Sequence, residues 1–215
     1  MHRRRTALVL TAAIAAAAPL LTACGSEAHP GAAAVVGGQR ITVAQLQSRV
    51  DEVRRAQRAA VPDDTQYQQV VSSTSSLTRD TLHNMVLDRV LHRAARDKGV
   101  TVTPKEIQQM RAELARQAGG GKGLETAWLQ KYGIAPARLD DNLRLQLEAQ
   151  KLAAKLGTDT TRPAFWQALS KASAELRVDL NPRYGAWDVQ KSSRVDAKTP
   201  WVREVTAQAG QPITT

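Results

Sequence analysis

The chain has 215 residues, 42% of them apolar, enough for one domain of ordinary size and too little for two large ones. Its single cysteine, Cys24, excludes an intramolecular disulfide framework and a thiolate-rich metal site, and four scattered histidines make no metal cluster. The formal net charge of +10 invites a nucleic-acid partner. However, Arg3, Arg4 and Arg5 precede Cys24 with no acid among them, and the later charges interleave, as in RVDEVRR at 49–55 and RLDDNLR at 138–144. Interleaving marks solvated helix faces rather than a stripe that tracks phosphates, so the sequence argues against nucleic acid and for attraction to an anionic envelope surface. With one Phe, four Trp and three Tyr, a core must be built from Leu, Val and Ala, which favours packed helices.

The N-terminus reads HRRR at 2–5, ALVLTAAIAAAAPLL at 7–21 and LTAC at 21–24. A charged n-region, an apolar h-region and small residues before a cut are the order of a signal peptide. The apolar run contains Pro19 and falls short of the roughly 20 residues a spanning helix needs. Leu21, Thr22, Ala23 and Cys24 match the bacterial lipobox, in which the cysteine thiol is lipidated and the chain is cut immediately before it. The expectation is a signal peptide over 1–23, an acylated Cys24 serving as anchor and not as catalyst, and a polar tether over 24–33. Acyl chains at about 0.8 kcal/mol per buried methylene then hold the protein on the extracytoplasmic face of a membrane without a spanning helix.

From residue 34 the pattern is that of a folded domain. Val35 and Val36 form one short β-prone piece, Gly37-Gly38 a turn, and Ile41 a second apolar point. Thr42 and Gln45 make a capping box, after which Val43, Leu46, Val50 and Val53 give the apolar stripe of a helix ending near Ala60 and closed by Pro62. Residues 63–76 are polar, a loop or short helix whose SSTSS run serves to cap the next helix. That helix, from Leu77 to Lys98, has two apolar rows, Leu82-Val86-Val90-Ala94 and Leu87-Leu91-Ala95, so it is expected to be central and covered on more than one side. Gly99 stops it, and Thr103-Pro104 with Glu106 starts another.

GGGKG at 119–123 is read as a flexible connector, since Gly123 follows Lys122 where a phosphate-binding loop needs Ser or Thr. A short helix over 124–132, a turn at Gly133, a long helix from Pro136 to Leu156 and a last helix over 162–176 complete the body. Val178 and Leu180 alternate with Arg177 and Asp179 as a half-buried strand, Asn181 to Gly185 make a turn, and the chain from 191 to 215 reads as a polar tail.

Three stretches in this order resemble the N-terminal domain of the SurA/PrsA-type extracytoplasmic chaperones and foldases: AVVGGQRITVAQLQSRVDEV at 34–53, TLHNMVLDRVLHRAARDKGVTVTPKEIQQ at 81–109 and KYGIAPARLDDNLRLQLEAQKL at 131–152. VDLNPRYGAWD at 178–188 is similar to the strand that ends such domains and is expected to pair with the segment near Val35. The resemblance implies a mainly α fold over 34–190, a helical domain with a small two-stranded sheet made by its N- and C-terminal segments. In the family's foldases a parvulin-type prolyl isomerase follows the helical domain, whereas here GTDTTRPA at 157–164 alone separates the last two helices. The resemblance therefore implies chaperone-like binding of unfolded or translocating polypeptides without isomerase chemistry and without a cofactor.

Catalysis has no local support. Asp140-Asp141 and Asp63-Asp64 are adjacent residues, which on a helix point about 100° apart, and no GxSxG elbow is present. His83 and His92, nine residues apart on one helix, face different sides. Trp128 and Tyr132 are an i, i+4 pair beside the glycine-rich run. They are either an aromatic edge that holds an unfolded apolar segment or a pair packed on the neighbouring helix. Phe165 and Trp166 read as sealing the last helix against the body. The competing functional reading is an assembly or interaction lipoprotein that recognises one envelope partner on the same scaffold.

Overall fold

The computed structural model describes residues 31–196. Leu21, Thr22, Ala23 and Cys24 of the lipobox, most of the tether and the chain beyond Asp196 lie outside the described residues.

The described chain opens with a hairpin, β1 (Ala32–Val36) and β2 (Gln39–Thr42). Gly37 and Gly38 turn it with φ of 59° and 76°, the positive values whose twist matches that of the flanking strands. Ala32 and Ala33, placed by their composition in the tether, are buried in β1. The second apolar point becomes a strand because Ile41 lies opposite Ala34 and is fully buried with it. On the other edge of β1, β3 (Asp179–Leu180) pairs Leu180 with Ala34 and Asp179 with Val35. The N- and C-terminal segments thus meet as expected, in a sheet of three strands ordered β2-β1-β3 rather than two. A separate hairpin joins β4 (Ala186–Asp188), inside the expected domain, to β5 (Ser193–Val195), in the stretch read as polar tail. Tertiary bonds hold it: Trp187 Nε1 donates to Ser173 Oγ at 2.5 Å, and the Arg194 N–H donates to His83 Nδ1 at 3.3 Å.

Seven helices make the body of the described chain: α1 (Val43–Ala60), α2 (Asp64–Ser73), α3 (Leu77–Asp97), α4 (Pro104–Gln117), α5 (Gly121–Tyr132), α6 (Leu139–Lys155) and α7 (Pro163–Glu175). The capping boxes form as their spacing predicts, with Gln45 N donating to Thr42 Oγ1 at 3.0 Å and Thr42 N to Gln45 Oε1 at 2.9 Å. The serine run does not cap α3, because Ser76 already has helical dihedrals and its hydroxyl donates to Asp80 at 2.6 Å instead. α2 buries none of its residues and is tied to α1 through Arg54, which donates to Thr74 Oγ1 at 2.6 Å and to the Thr74 carbonyl at 3.0 Å.

α3 is the centre of the main core. Leu82, Val86 and Val90 are fully buried, and α1, α6, α7 and β1 all pack on this helix. A smaller core of Leu124, Leu139 and Leu143, with Ile107, Met110, Leu114 and Trp128 around it, joins α4, α5 and α6. The last residues of GGGKG belong to α5 and not to a connector. A Cβ on Gly123 would collide with the Ala118 carbonyl at the end of α4, whereas one on Gly121 would meet nothing. Gly123 therefore lets the α4 and α5 backbones approach closely. Gly123→Ala is expected to lower stability by about 1–3 kcal/mol and Gly121→Ala to change it by less than about 1 kcal/mol, read from the urea midpoints of the two variants.

α4 is also pinned to α6 by charge. Glu106 accepts from the Thr103 N–H at 2.8 Å and meets Lys151 Nζ at 2.5 Å. The Lys151 contact, with Thr103 adding to it, brings the Glu106 carboxyl down from an ordinary 4.5 to about 2. A lowered carboxyl contributes stability above its unfolded pKa and loses it as pH falls toward the folded one. The drop in urea midpoint between about pH 6 and about pH 3 is therefore expected to be smaller in Glu106→Gln than in the parent chain.

Candidate polypeptide-binding surface

The aromatic pair singled out from sequence divides between two environments. Trp128 is half-buried against the smaller core, its Nε1 donates to Asn142 Oδ1 at 3.0 Å, and its ring meets Tyr132 edge-on at 5.5 Å between centroids. This is the packed arrangement. Tyr132 is 47% exposed and stands at the mouth of a cleft lined by Ala60, Val61, Val70, Leu77 and Leu129.

A second apolar surface lies on the other side of α3. Leu87 and Leu91 of α3, Leu145 and Ala149 of α6, and Phe165, Trp166 and Leu169 of α7 line a groove of about 380 Å³. Phe165 seals α7 against the core at 4% exposed, as expected, but Trp166 is 41% exposed and forms the rim. The reason is helical phase. Phe165, Leu169 and Ala172 fall at i, i+4 and i+7 on the inward stripe, and the next residue is turned about 100° away from it. The two rings meet edge-on at 5.7 Å and 87°, so Trp166 is held open over the groove. That phase was available in the sequence. The second apolar row of α3, Leu87 and Leu91, forms the opposite wall.

Between α3 and α6 runs a polar seam. His92 Nδ1 and Glu148 Oε1 are 3.0 Å apart, and Glu148, 4% exposed, keeps Oε2 without a hydrogen-bond partner among the described residues. Arg144 lies 3.6 Å from Asp88. Burial pushes the Asp88 carboxyl above its ordinary value; Arg144 opposes the rise, and the negative charges of Glu148 and Asp141 add to it. The neighbouring Arg138 forks onto Glu52 at 2.7 and 2.8 Å, which holds the Glu52 carboxyl down. His83 is elsewhere, 5.7 Å from the Trp187 ring. Among the described residues no three His, Cys, Asp or Glu side chains come together as a metal site. The arrangement offers apolar surface beside paired charge.

Comparison with protein families yields one decisive match: the model of the SurA-like N-terminal domain covers residues 1–153. The chain belongs to the SurA-like N-terminal domain family. That domain is a non-catalytic chaperone module. The matched residues carry the SurA-like domain's first sheet strands, α1 to α5 and nearly all of α6, whereas α7 and β3 to β5 follow the match. Residues 156–162 are all that separate α6 from α7. No curated protein and no solved structure matches the chain.

Packing distinguishes Trp128, inside the matched SurA-like domain, from Trp166, which follows it. Trp128→Ala is expected to cost about 2–3 kcal/mol through lost packing and its hydrogen bond, and Trp166→Ala less than about 1 kcal/mol, both read by urea unfolding.

Proposed function

We propose that this protein is a membrane-anchored extracytoplasmic lipoprotein that holds unfolded or translocating polypeptides in the groove between α3, α6 and α7, without isomerase chemistry. The observation that carries this reading is Trp166, a large aromatic left 41% exposed over an apolar groove. Isolated apolar residues on a surface are ordinary, but a tryptophan over a concave wall of leucines offers an extended chain a place to bury side chains. Each square ångström so buried contributes about 25 cal/mol before the cost of ordering, giving weak, sequence-tolerant binding. Membership of the SurA-like N-terminal domain family supports the same reading.

The lipobox supports the anchor. No helix of the described residues is long and apolar enough to cross a membrane. From Cys24 to Gly31, where the described chain begins, seven residues span at most about 25 Å, which keeps the domain beside the lipid surface. Cys24→Ala is expected to move the protein out of the membrane fraction, and a variant that stays there would contradict acyl anchoring.

For the binding reading, the full chain in detergent is expected to slow aggregation of a chemically unfolded reporter in proportion to its concentration, and Trp166→Ala to weaken that effect several-fold while the fold, followed by circular dichroism, is retained. Capture of one folded envelope protein in place of many unfolded ones would instead favour the dedicated assembly lipoprotein.

A further inference from the structure

The cleft at whose mouth Tyr132 stands encloses about 430 Å³ between the end of α1, α2, the start of α3 and the end of α5. That is room for a few side chains. Val61, Val70, Leu77 and Leu129 give it apolar walls, and Asp80 of α3 and Lys131 of α5 bring one charge of each sign to its lining. α2 buries none of its residues, and its Val70 is left half-buried facing this space.

The chain leaves the described domain beside this cleft. β5 starts from a hairpin turn whose Val189 and Gln190 share a hollow with Trp166, and it runs away from that hollow to Val195, opposite Ala186. The Arg194 N–H meets His83 Nδ1 at 3.3 Å, and His83 is one helical turn beyond Asp80 on α3. Arg194 holds the Asp196 carboxyl below its ordinary value, and the charge of Arg79, in the first turn of α3, adds to the effect. The exit at Asp196 therefore lies toward the N-terminal end of α3 and away from the groove under Trp166.

Five residues further on stands Trp201, the sole aromatic of residues 197–215, followed by Val202, Arg203, Glu204 and Val205. Five residues reach at most about 18 Å. A segment tethered so closely has an effective concentration on the order of millimolar, so a contact too weak to hold a free peptide is populated. Successive side chains of an extended segment point to opposite sides, which matches Arg203 and Glu204 to Asp80 on one helix and Lys131 on another.

We propose that residues 201–205 of this same chain dock in the cleft, Trp201 against Val70, Leu77 and Leu129, Arg203 toward Asp80 and Glu204 toward Lys131. The segment is then a clasp that holds α2 and the end of α5 to the start of α3. The inference stands apart from the polypeptide-binding groove and does not rest on it.

The test places benzoylphenylalanine, itself aromatic, at position 201 of the full chain in detergent and mixes light with isotopically heavy copies before irradiation. Mass spectrometry is expected to show products within one copy that join position 201 to α2, the start of α3 or the end of α5. Val70→Glu, on a helix that buries none of its residues, is expected to cut that product several-fold with circular dichroism unchanged. Attachment at the α7 groove, light-to-heavy products in place of those within one copy, or no product overturns the proposal. Hydrogen exchange gives a second reading without a crosslinker. Trp201→Ala is expected to speed exchange of the α2 amides several-fold and to leave those of α7 unchanged, and unaltered exchange in α2 overturns the clasp.

Discussion

The burial of α3 is the constraint on which the rest of the structure depends. Leu82, Val86 and Val90 have no exposed surface, and α1, α6, α7 and β1 each cover part of the same helix. A helix with two apolar rows cannot be satisfied by one neighbour, so the chain must return to it repeatedly. The first row is closed over completely. The second, through Leu87 and Leu91, is shared between α6 and α7, and a groove remains along it. The candidate binding surface thus runs along the second row of the central helix, where Leu91 is buried and Leu87 is half-buried.

The sheet and the charges serve this arrangement in different ways. β3 pairs with β1 and joins the two ends of the described domain, and the Gly37 N–H donates to the Leu176 carbonyl at the end of α7 at 2.6 Å. α7 is therefore fixed at its C-terminal end by the sheet, and its N-terminal end carries Phe165 and Trp166 to the groove. The ion pairs join the outer helices: Arg111 bridges Glu125 of α5 and Asp140 of α6 at 2.9 and 2.7 Å, and Lys151 bridges back to Glu106. Exposed pairs of this kind contribute about 0–1 kcal/mol each, so they set how α4 and α5 lie on α6 more than they hold the fold together.

Where local chemistry decides the outcome, the sequence is readable. Thr42 with Gln45 and Thr103 with Glu106 cap the helices they precede, and the two rows of α3 mark it as central. Contacts between distant segments were less accessible. Gly123 looks like part of a linker until the α4 carbonyl at Ala118 is seen against it, and Ser193 to Val195 become a strand because Arg194 finds His83, 111 residues earlier. The seam of His92 and Glu148 joins positions 56 residues apart, with no local pattern to announce it. Trp166 is a different case. Its helical phase was readable, yet its adjacency to Phe165 suggested a shared role that the inward stripe of α7 does not give it.

Photocrosslinking from single positions tests the account most directly. A photoreactive residue is placed at 166 in one copy of the full chain and at 128 in another, and each is offered the same unfolded polypeptide. The account predicts capture from position 166, which stands open over the groove, and little from position 128, whose indole is bonded to Asn142 within the smaller core. Capture from 128 with none from 166, or from neither, would contradict it.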